Sequence, residues 1–260
     1  MTYLPIDSHC HLHSIPYDRI GIDMDTLIHN CFHGENPLEA MLSVCIEVSD
    51  LPSLYAISEK HPRISISAGQ HPTDVEHTSL AQLEEVLSEA LLRQDVVAVG
   101  ETGLDYLHPH DKKTQERLQI QLAKHYKKPL IIHSRDARED TIRILKEEKA
   151  EDIGGVFHCF TESYDMAKKG LDLGFLISFS GIVTFKNAKE VQDVATKIPL
   201  SSMLIETDAP YLAPMPFRGK VNQPAYVNFV AEKIAELKST SKEEVCKVTS
   251  ENFHRLFFNK

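Results

Sequence analysis

Two histidines set two residues apart, His9 and His11, close the segment Ile6-Asp7-Ser8-His9-Cys10-His11. After the apolar stretch from Tyr3 to Ile6 this segment reads as an extended strand, on which residues two apart point to one side. Both imidazoles and the Asp7 carboxylate then share a face. Neutral imidazoles are good ligands for borderline divalent metals, but two of them supply neither the charge compensation nor the coordination number of a working centre. Acidic ligands must come from further along the chain. Glu101 ends one apolar run, His133 another, His158 a third and Asp208 a fourth, while His71 follows a fifth. Taken singly, each reads equally well as a hydrogen-bonded structural group or a helix cap.

The positions acquire a joint meaning only if the fold gathers them. Apolar runs recur at residues 3–6, 41–46, 64–68, 96–100, 130–132, 155–157, 175–178 and 203–205, most of them without alternation, as in parallel strands buried on both faces. Helical spacing fills the intervals: Leu80, Leu83, Leu87 and Leu91 share a face, as do Val191, Val194 and Ile198. Eight strand–helix units in about 250 residues match a (β/α)8 TIM barrel, with an open doubly wound sheet as the other arrangement of the same alternation. In a barrel the C-terminal strand ends meet on one rim, so His9, His11, Glu101, His133, His158 and Asp208 form a ring able to hold metal. The chain is read as one domain over residues 1–260, closed by helices at 224–238 and 241–257, the second opened by a capping box from Ser241 to Glu244. Residues 14–40, interrupted by Pro16, Gly21, Gly34 and Pro37, read as a long first connection with a helix from Asp23 to Cys31.

Composition narrows the classes. The chain carries 28 Lys plus Arg against 38 Asp plus Glu, a net charge of -10, which excludes a broad basic coat for nucleic acid but not the handling of phosphate through a metal. Without a signal-peptide pattern or an apolar run near the roughly 18 residues of a membrane span, the chain is expected to be cytoplasmic, with no membrane contact and no obligatory protein partner. Five cysteines without a C-x-x-C pair read as reduced thiols, and strand parity turns Cys10 and Cys159 away from the histidine face. The basic cluster from Lys124 to Lys128 closes a helix, where cations favour the C-terminus.

Asp7-Ser-His-Cys-His11, Gly69-Gln-His-Pro72, Val99-Gly-Glu-Thr-Gly-Leu-Asp-Tyr106, Ile132-His-Ser-Arg-Asp-Ala137, Phe157-His-Cys-Phe160 and Leu204-Ile-Glu-Thr-Asp-Ala-Pro-Tyr211 follow one another along the chain. In this order they resemble the TatD family of metal-dependent deoxyribonucleases, from residue 6 to the C-terminal helices. The resemblance implies a TIM barrel in which His9, His11, Glu101, His133, His158 and Asp208 hold one or two divalent cations, with His71 near the substrate phosphate. It also implies hydrolysis of phosphodiester bonds, typically exonucleolytic, in DNA and sometimes RNA. Two departures stand out: His13 occupies a position where the family often has Asp, and residues 14–40 do not follow its usual short first helix.

In that reading Asp208 accepts the proton of the attacking water, and Glu101 bridges two cations where both are present. His71, Arg135 and Arg218 bring positive charge to the phosphate, and Asn222, in the loop that holds Arg218, hydrogen-bonds phosphate or sugar. Glu206 shares the inward side of its strand with Asp208 and supports the ligands. Tyr106, Phe160, Phe185, Tyr211 and Phe217 are the aromatic candidates for stacking a base. The ligand types do not choose among Zn, Mg, Mn and Co. Two other readings use the same residues. One is an amidohydrolase-like enzyme acting on a small amide, lactone or phosphate ester. Many such enzymes bridge their metals with a carboxylated lysine at the end of strand four, where residues 96–106 hold Glu101 and no lysine. The other is a non-enzymatic metal-stabilised scaffold, for which a closed Cys-rich set of four ligands is usual.

Overall fold

The computed structural model describes residues 3–73, 78–107 and 113–258. Eight strands lie side by side in sequence order: β1 (Asp7–Cys10), β2 (Met41–Ser43), β3 (Ile64–Ala68), β4 (Val96–Asp105), β5 (Leu130–Arg135), β6 (Gly155–Phe157), β7 (Phe175–Phe179) and β8 (Met203–Ile205). They are parallel, and a further parallel bridge pairs Cys10 with Ala209, just past β8. The fold is a (β/α)8 TIM barrel, and the doubly wound alternative is set aside.

The helices are α1 (Tyr17–Ile20), α2 (Met24–His33), α3 (Leu51–Lys60), α4 (Leu80–Ala90), α5 (Lys113–Tyr126), α6 (Arg138–Glu147), α7 (Tyr164–Asp172), α8 (Lys189–Lys197), α9 (Val227–Lys238) and α10 (Lys242–Phe258). Their starts follow local chemistry. Asp23 caps α2 by accepting from the Thr26 N–H at 2.8 Å, and Ser241 caps α10 by accepting from the Glu244 N–H at 3.1 Å. Ser79 and Gln82 form a reciprocal capping box on α4.

Two compact units divide the chain. One comprises residues 1–43, 159–167 and 177–260; the other comprises 44–158 and 168–176. In the first, Val230, Ile234, Phe253 and Met203 are buried among α9, α10 and β8, and the Asn252 amide donates to the Leu200 and Met203 carbonyls at 3.0 and 2.8 Å. In the second, all ten residues of β4 are buried, and β4 pairs with β3 and β5. Gly103 makes the β4–β5 approach possible: a Cβ there would lie 2.0 Å from the His133 carbonyl oxygen.

The first strand departs from the sequence reading. The apolar stretch 3–6 is not its body; β1 begins at Asp7 and contains the polar residues themselves. They tolerate full burial because each finds a partner. The Asp7 carboxylate accepts from Thr207, and the Ser8 hydroxyl donates to the Ile205 carbonyl at 2.9 Å. β2 also stops at Ser43, short of residue 46, whereas β4 and β5 run on to Asp105 and Arg135, past their apolar cores.

Candidate metal centre

Two of the candidate ligand groups lie each within a single unit. In the first unit, β1 and the turn after it carry His9 and His11, and the segment after β8 carries Asp208. The Thr207 N–H and hydroxyl donate to Asp7 at 2.8 and 2.6 Å, and the Asp208 N–H donates to the His9 carbonyl at 2.9 Å. These bonds lock the two segments together. Asp7 is thereby engaged by Thr207, so its shared parity with His9 does not bring it into the ligand cluster. Burial pushes the Asp7 carboxyl well above the usual range, with the Thr207 hydrogen bonds acting the other way. Asp208 has φ 59°, a left-handed conformation that Asp tolerates better than most residues.

Three donor atoms converge there. His9 Nε2 and His11 Nε2 are 3.2 Å apart, and Asp208 Oδ1 lies 3.3 Å from His11 Nε2 and 3.7 Å from His9 Nε2. A tetrahedral ion at roughly 2.0–2.1 Å from each donor needs donors about 3.3 Å apart. The buried set of two imidazoles and one carboxylate therefore fits a divalent cation in both spacing and chemistry. Glu206 is fully buried and its Oε1 accepts from the Cys159 N–H at 2.7 Å, which fixes the chain where Cys159 turns through φ 42°. The Cys10 thiol donates to the Leu42 carbonyl at 3.5 Å, and Cys159 Sγ lies 3.3 Å from the Ser180 hydroxyl. Neither thiol joins a candidate ligand group among the described residues.

In the second unit, β4 carries Glu101, β5 carries His133, the end of β6 carries His158, and the turn after β3 carries His71. One oxygen organises the cluster: Glu101 Oε1 lies 3.2 Å from His71 Nε2, 3.1 Å from His133 Nδ1 and 2.6 Å from His158 Nε2. Burial works to raise the Glu101 pKa. The charges of His158 and His71 and the hydrogen bonds from His133 and His158 outweigh it and hold the carboxyl well below its ordinary value. His71 was expected beside the substrate phosphate; it stands within the ligand group formed with Glu101 and His133. Burial lowers the His71 pKa, which favours the neutral imidazole that binds metal.

Three residues of this cluster escaped the sequence reading. Asp105 Oδ2 lies 3.2 Å from His133 Nε2, the nitrogen opposite the one that faces Glu101, so it orients the ring. Its signal was its position four residues beyond Glu101 on the same strand, at matching parity. Gln115 and Gln119 on α5 both donate to the Gln70 carbonyl at 3.0 Å, and Gln119 Oε1 accepts from the Gln70 N–H at 2.9 Å. They pin the turn that presents His71. Nothing in the sequence around these two glutamines marks that contact.

The expected substrate contacts are dispersed. Arg135 ends β5 and is exposed; Arg218 is exposed, with its guanidinium carbon 4.4 Å above the Phe185 ring. Asn222 is fully buried, donates to the Thr207 carbonyl at 2.8 Å and to the Tyr211 carbonyl, and accepts from the Gln223 N–H at 2.9 Å. Its polar atoms hold the loop after β8 in shape. Phe217 stacks on Tyr226 with centroids 4.2 Å apart, Phe160 is buried, and the Tyr106 hydroxyl bonds Asp140. Lys124 donates to the Glu148 carbonyl where α6 ends, and Lys128, just past α5, donates to the Arg93 and Val96 carbonyls.

Comparison with known proteins agrees with this donor chemistry. A family model described as TatD related DNase matches residues 6–258. An uncharacterized metal-dependent hydrolase, YcfH, of Escherichia coli (strain K12) is 42% identical over 257 residues, covering 97% of this chain and 95% of the relative. YabD of Bacillus subtilis (strain 168), an uncharacterized metal-dependent hydrolase as well, is 42% identical over 258 residues, covering 96% and 98%. Among solved structures, YjjV, a TatD homolog from Escherichia coli K12, superposes with a TM-score of 0.87 at 30% identity and covers 97% of both chains.

Proposed function

The chain belongs to the family of TatD-related DNases and is a metal-dependent hydrolase, and from that premise we propose that it cleaves phosphodiester bonds, shortening DNA strands from an end. The observation that carries this reading is the near-tetrahedral spacing of His9, His11 and Asp208, with a carboxylate inside the donor set. His9, His11 and Asp208 would hold one divalent cation, and His71, Glu101 and His133, joined by His158, would hold a second. Divalent cations bound there supply Lewis-acid charge to the phosphate and draw down the pKa of water. Asp208 Oδ2 takes the proton of the attacking water while Oδ1 keeps its place beside the imidazoles. Asp105 keeps His133 in one tautomer and orientation, and Gln119 does the same for the turn that bears His71. Arg218, on the loop after β8, is the side chain that balances charge accumulating on the phosphate.

No helix among the described residues is long and apolar enough to cross a membrane, and the proposed setting is the cytoplasm. The test is hydrolysis of end-labelled single-stranded DNA by metal-stripped protein, with Mg²⁺, Mn²⁺, Co²⁺ or Zn²⁺ restored in turn and Asp208→Asn as control. Metal-dependent shortening from one end, lost in the variant, is the expected result. A protein that takes up metal stoichiometrically yet cuts no strand refutes the nuclease reading and directs the search to small amides, lactones and phosphate esters.

A further inference from the structure

Within the first unit a cavity of about 570 Å³ opens beside the loop after β8, inside the range of sites that hold small ligands. Arg19, Arg218 and Lys220 line it together with Ser14, Phe185 and Tyr211, and no carboxylate does. On a chain of net charge -10, three cations on the wall of one concavity make a local positive patch that draws anions. None of the three forms a salt bridge with a carboxylate among the described residues, whereas Arg93, Arg117 and Arg143 are all paired.

The walls are suited to a nucleotide rather than to a bare anion. The Arg218 guanidinium carbon lies 4.4 Å from the centre of the Phe185 ring, a cation–π contact that holds the charge at the cavity wall. Tyr211, which lines the cavity, is 52% exposed, and an aromatic ring at such a wall suits a base. Tyr211 also joins the cavity to the ligand cluster of the same unit, its ring centroid 6.2 Å from that of His11. Arg19 reaches the cavity from α1, in the stretch 14–40 whose sequence fits no simple element.

We propose that Arg19, Arg218 and Lys220 form a phosphate-binding pocket in which the nucleotide next to the scissile bond sits, its base against Tyr211. Arg19 is the member that residues 14–40 add to the loop after β8. This inference rests on the nuclease reading and extends it to one subsite.

The experiment is steady-state cleavage of a short oligothymidylate by the metal-loaded protein across a series of salt concentrations, for the parent chain, Arg19→Ala, Arg19→Lys and Lys146→Ala. Lys146 is exposed on α6 and serves as a charge control outside the pocket. A cation that neutralises one phosphate of a single strand contributes about 0.7 to the slope of log affinity against log salt. Arg19→Ala should therefore lower kcat/KM at low salt about 10-fold and flatten the slope by about 0.7, whereas Arg19→Lys keeps the slope and Lys146→Ala matches the parent. If the parent cuts the strand and Arg19→Ala matches it in rate and slope, the pocket is refuted and the nuclease reading stands. If Arg19→Ala falls with an unchanged slope, the loss is not of a phosphate contact and the pocket is refuted as well. If the parent cuts no strand with any metal, both fall together, and that result is distinct from the other two.

Discussion

Glu116 offers a quantitative test of the electrostatics of the second unit. It sits on α5 fully buried, and neither carboxylate oxygen has a hydrogen-bond partner among the described residues. Burial drives its pKa from 4.5 up to about 8, against a lowering contribution from Arg117 and with Asp140 adding to the rise. Below pH 4.5 the group is protonated in both the folded and the unfolded chain. Between 4.5 and about 8 the unfolded chain releases the proton and the folded chain keeps it, so stability falls as pH rises through this window and levels off above it. At about 1.4 kcal/mol per pH unit, the loss between pH 5 and pH 8 is on the order of 4 kcal/mol. Glu116→Met keeps the length of the side chain and removes the titrating group. At pH 5 it should gain only what an unsatisfied neutral carboxyl costs, about 1–3 kcal/mol. At pH 8 the gain should be larger by about 4 kcal/mol. Urea denaturation followed by circular dichroism at both pH values measures the difference, and subtraction of the parent from the variant cancels every other titrating group. A stability difference that stays the same between the two pH values refutes the assignment of an uncompensated carboxyl at this position.

The other predictions concern the donors and the strands that carry them. Asp105→Asn removes the carboxylate facing His133 Nε2 and should weaken metal binding about 10- to 100-fold, measured by competition with a chromophoric chelator; unchanged affinity means that Asp105 does not orient the ring. Gly103→Ala places a Cβ 2.0 Å from the His133 carbonyl oxygen at φ 135°, and its destabilisation should exceed about 3 kcal/mol, above the usual range for single substitutions. A soluble, parent-like melting curve would contradict the β4–β5 approach described above. Chelation should lower the melting temperature by about 5–10 °C relative to protein held at 100 times the metal dissociation constant, because saturation at that level is worth about 2.7 kcal/mol. Scanning calorimetry with and without chelator reads this directly, and coincident curves would mean that metal does not distinguish the folded from the unfolded chain.

The barrel was legible because most of its strands are buried on both faces and so are spelled as unbroken apolar runs. The runs at 64–68, 155–157 and 203–205 coincide with β3, β6 and β8 to the residue. β1 was misplaced for the opposite reason. Asp7, Ser8 and His9 are polar, and only partners 170 to 200 residues away, Ser178, Ile205 and Thr207, make their burial affordable. No local pattern contains such partners. The same limit explains why parity alone put Asp7 with the histidines: parity gives the side of a strand, and Thr207 decides what the carboxylate meets there.

The candidate ligands could be read because each is the polar residue that ends an apolar run, and a strand end is a place the alternation itself defines. Residues that act on those ligands from a second element had no such marker. Gln115 and Gln119 look like ordinary helix formers until the Gln70 backbone is set against them. Asn222 shows the converse. A polar residue in a basic loop suggests a substrate contact, yet with Thr207 and Tyr211 carbonyls on one side of its amide and the Gln223 N–H on the other, it serves the loop. That loop carries Arg218 and Lys220, so Asn222 sets the backbone geometry from which they project. The hydrogen-bonding capacity of a side chain is visible in a sequence, but whether the capacity is already used depends on contacts made over hundreds of residues. For this reason the candidate metal ligands were the more readable half of the site and the basic surface beside the loop after β8 the less readable one. Arg19, four residues beyond Ile15 on a short helix, enters that surface only because the structure returns the first connection to the loop after β8.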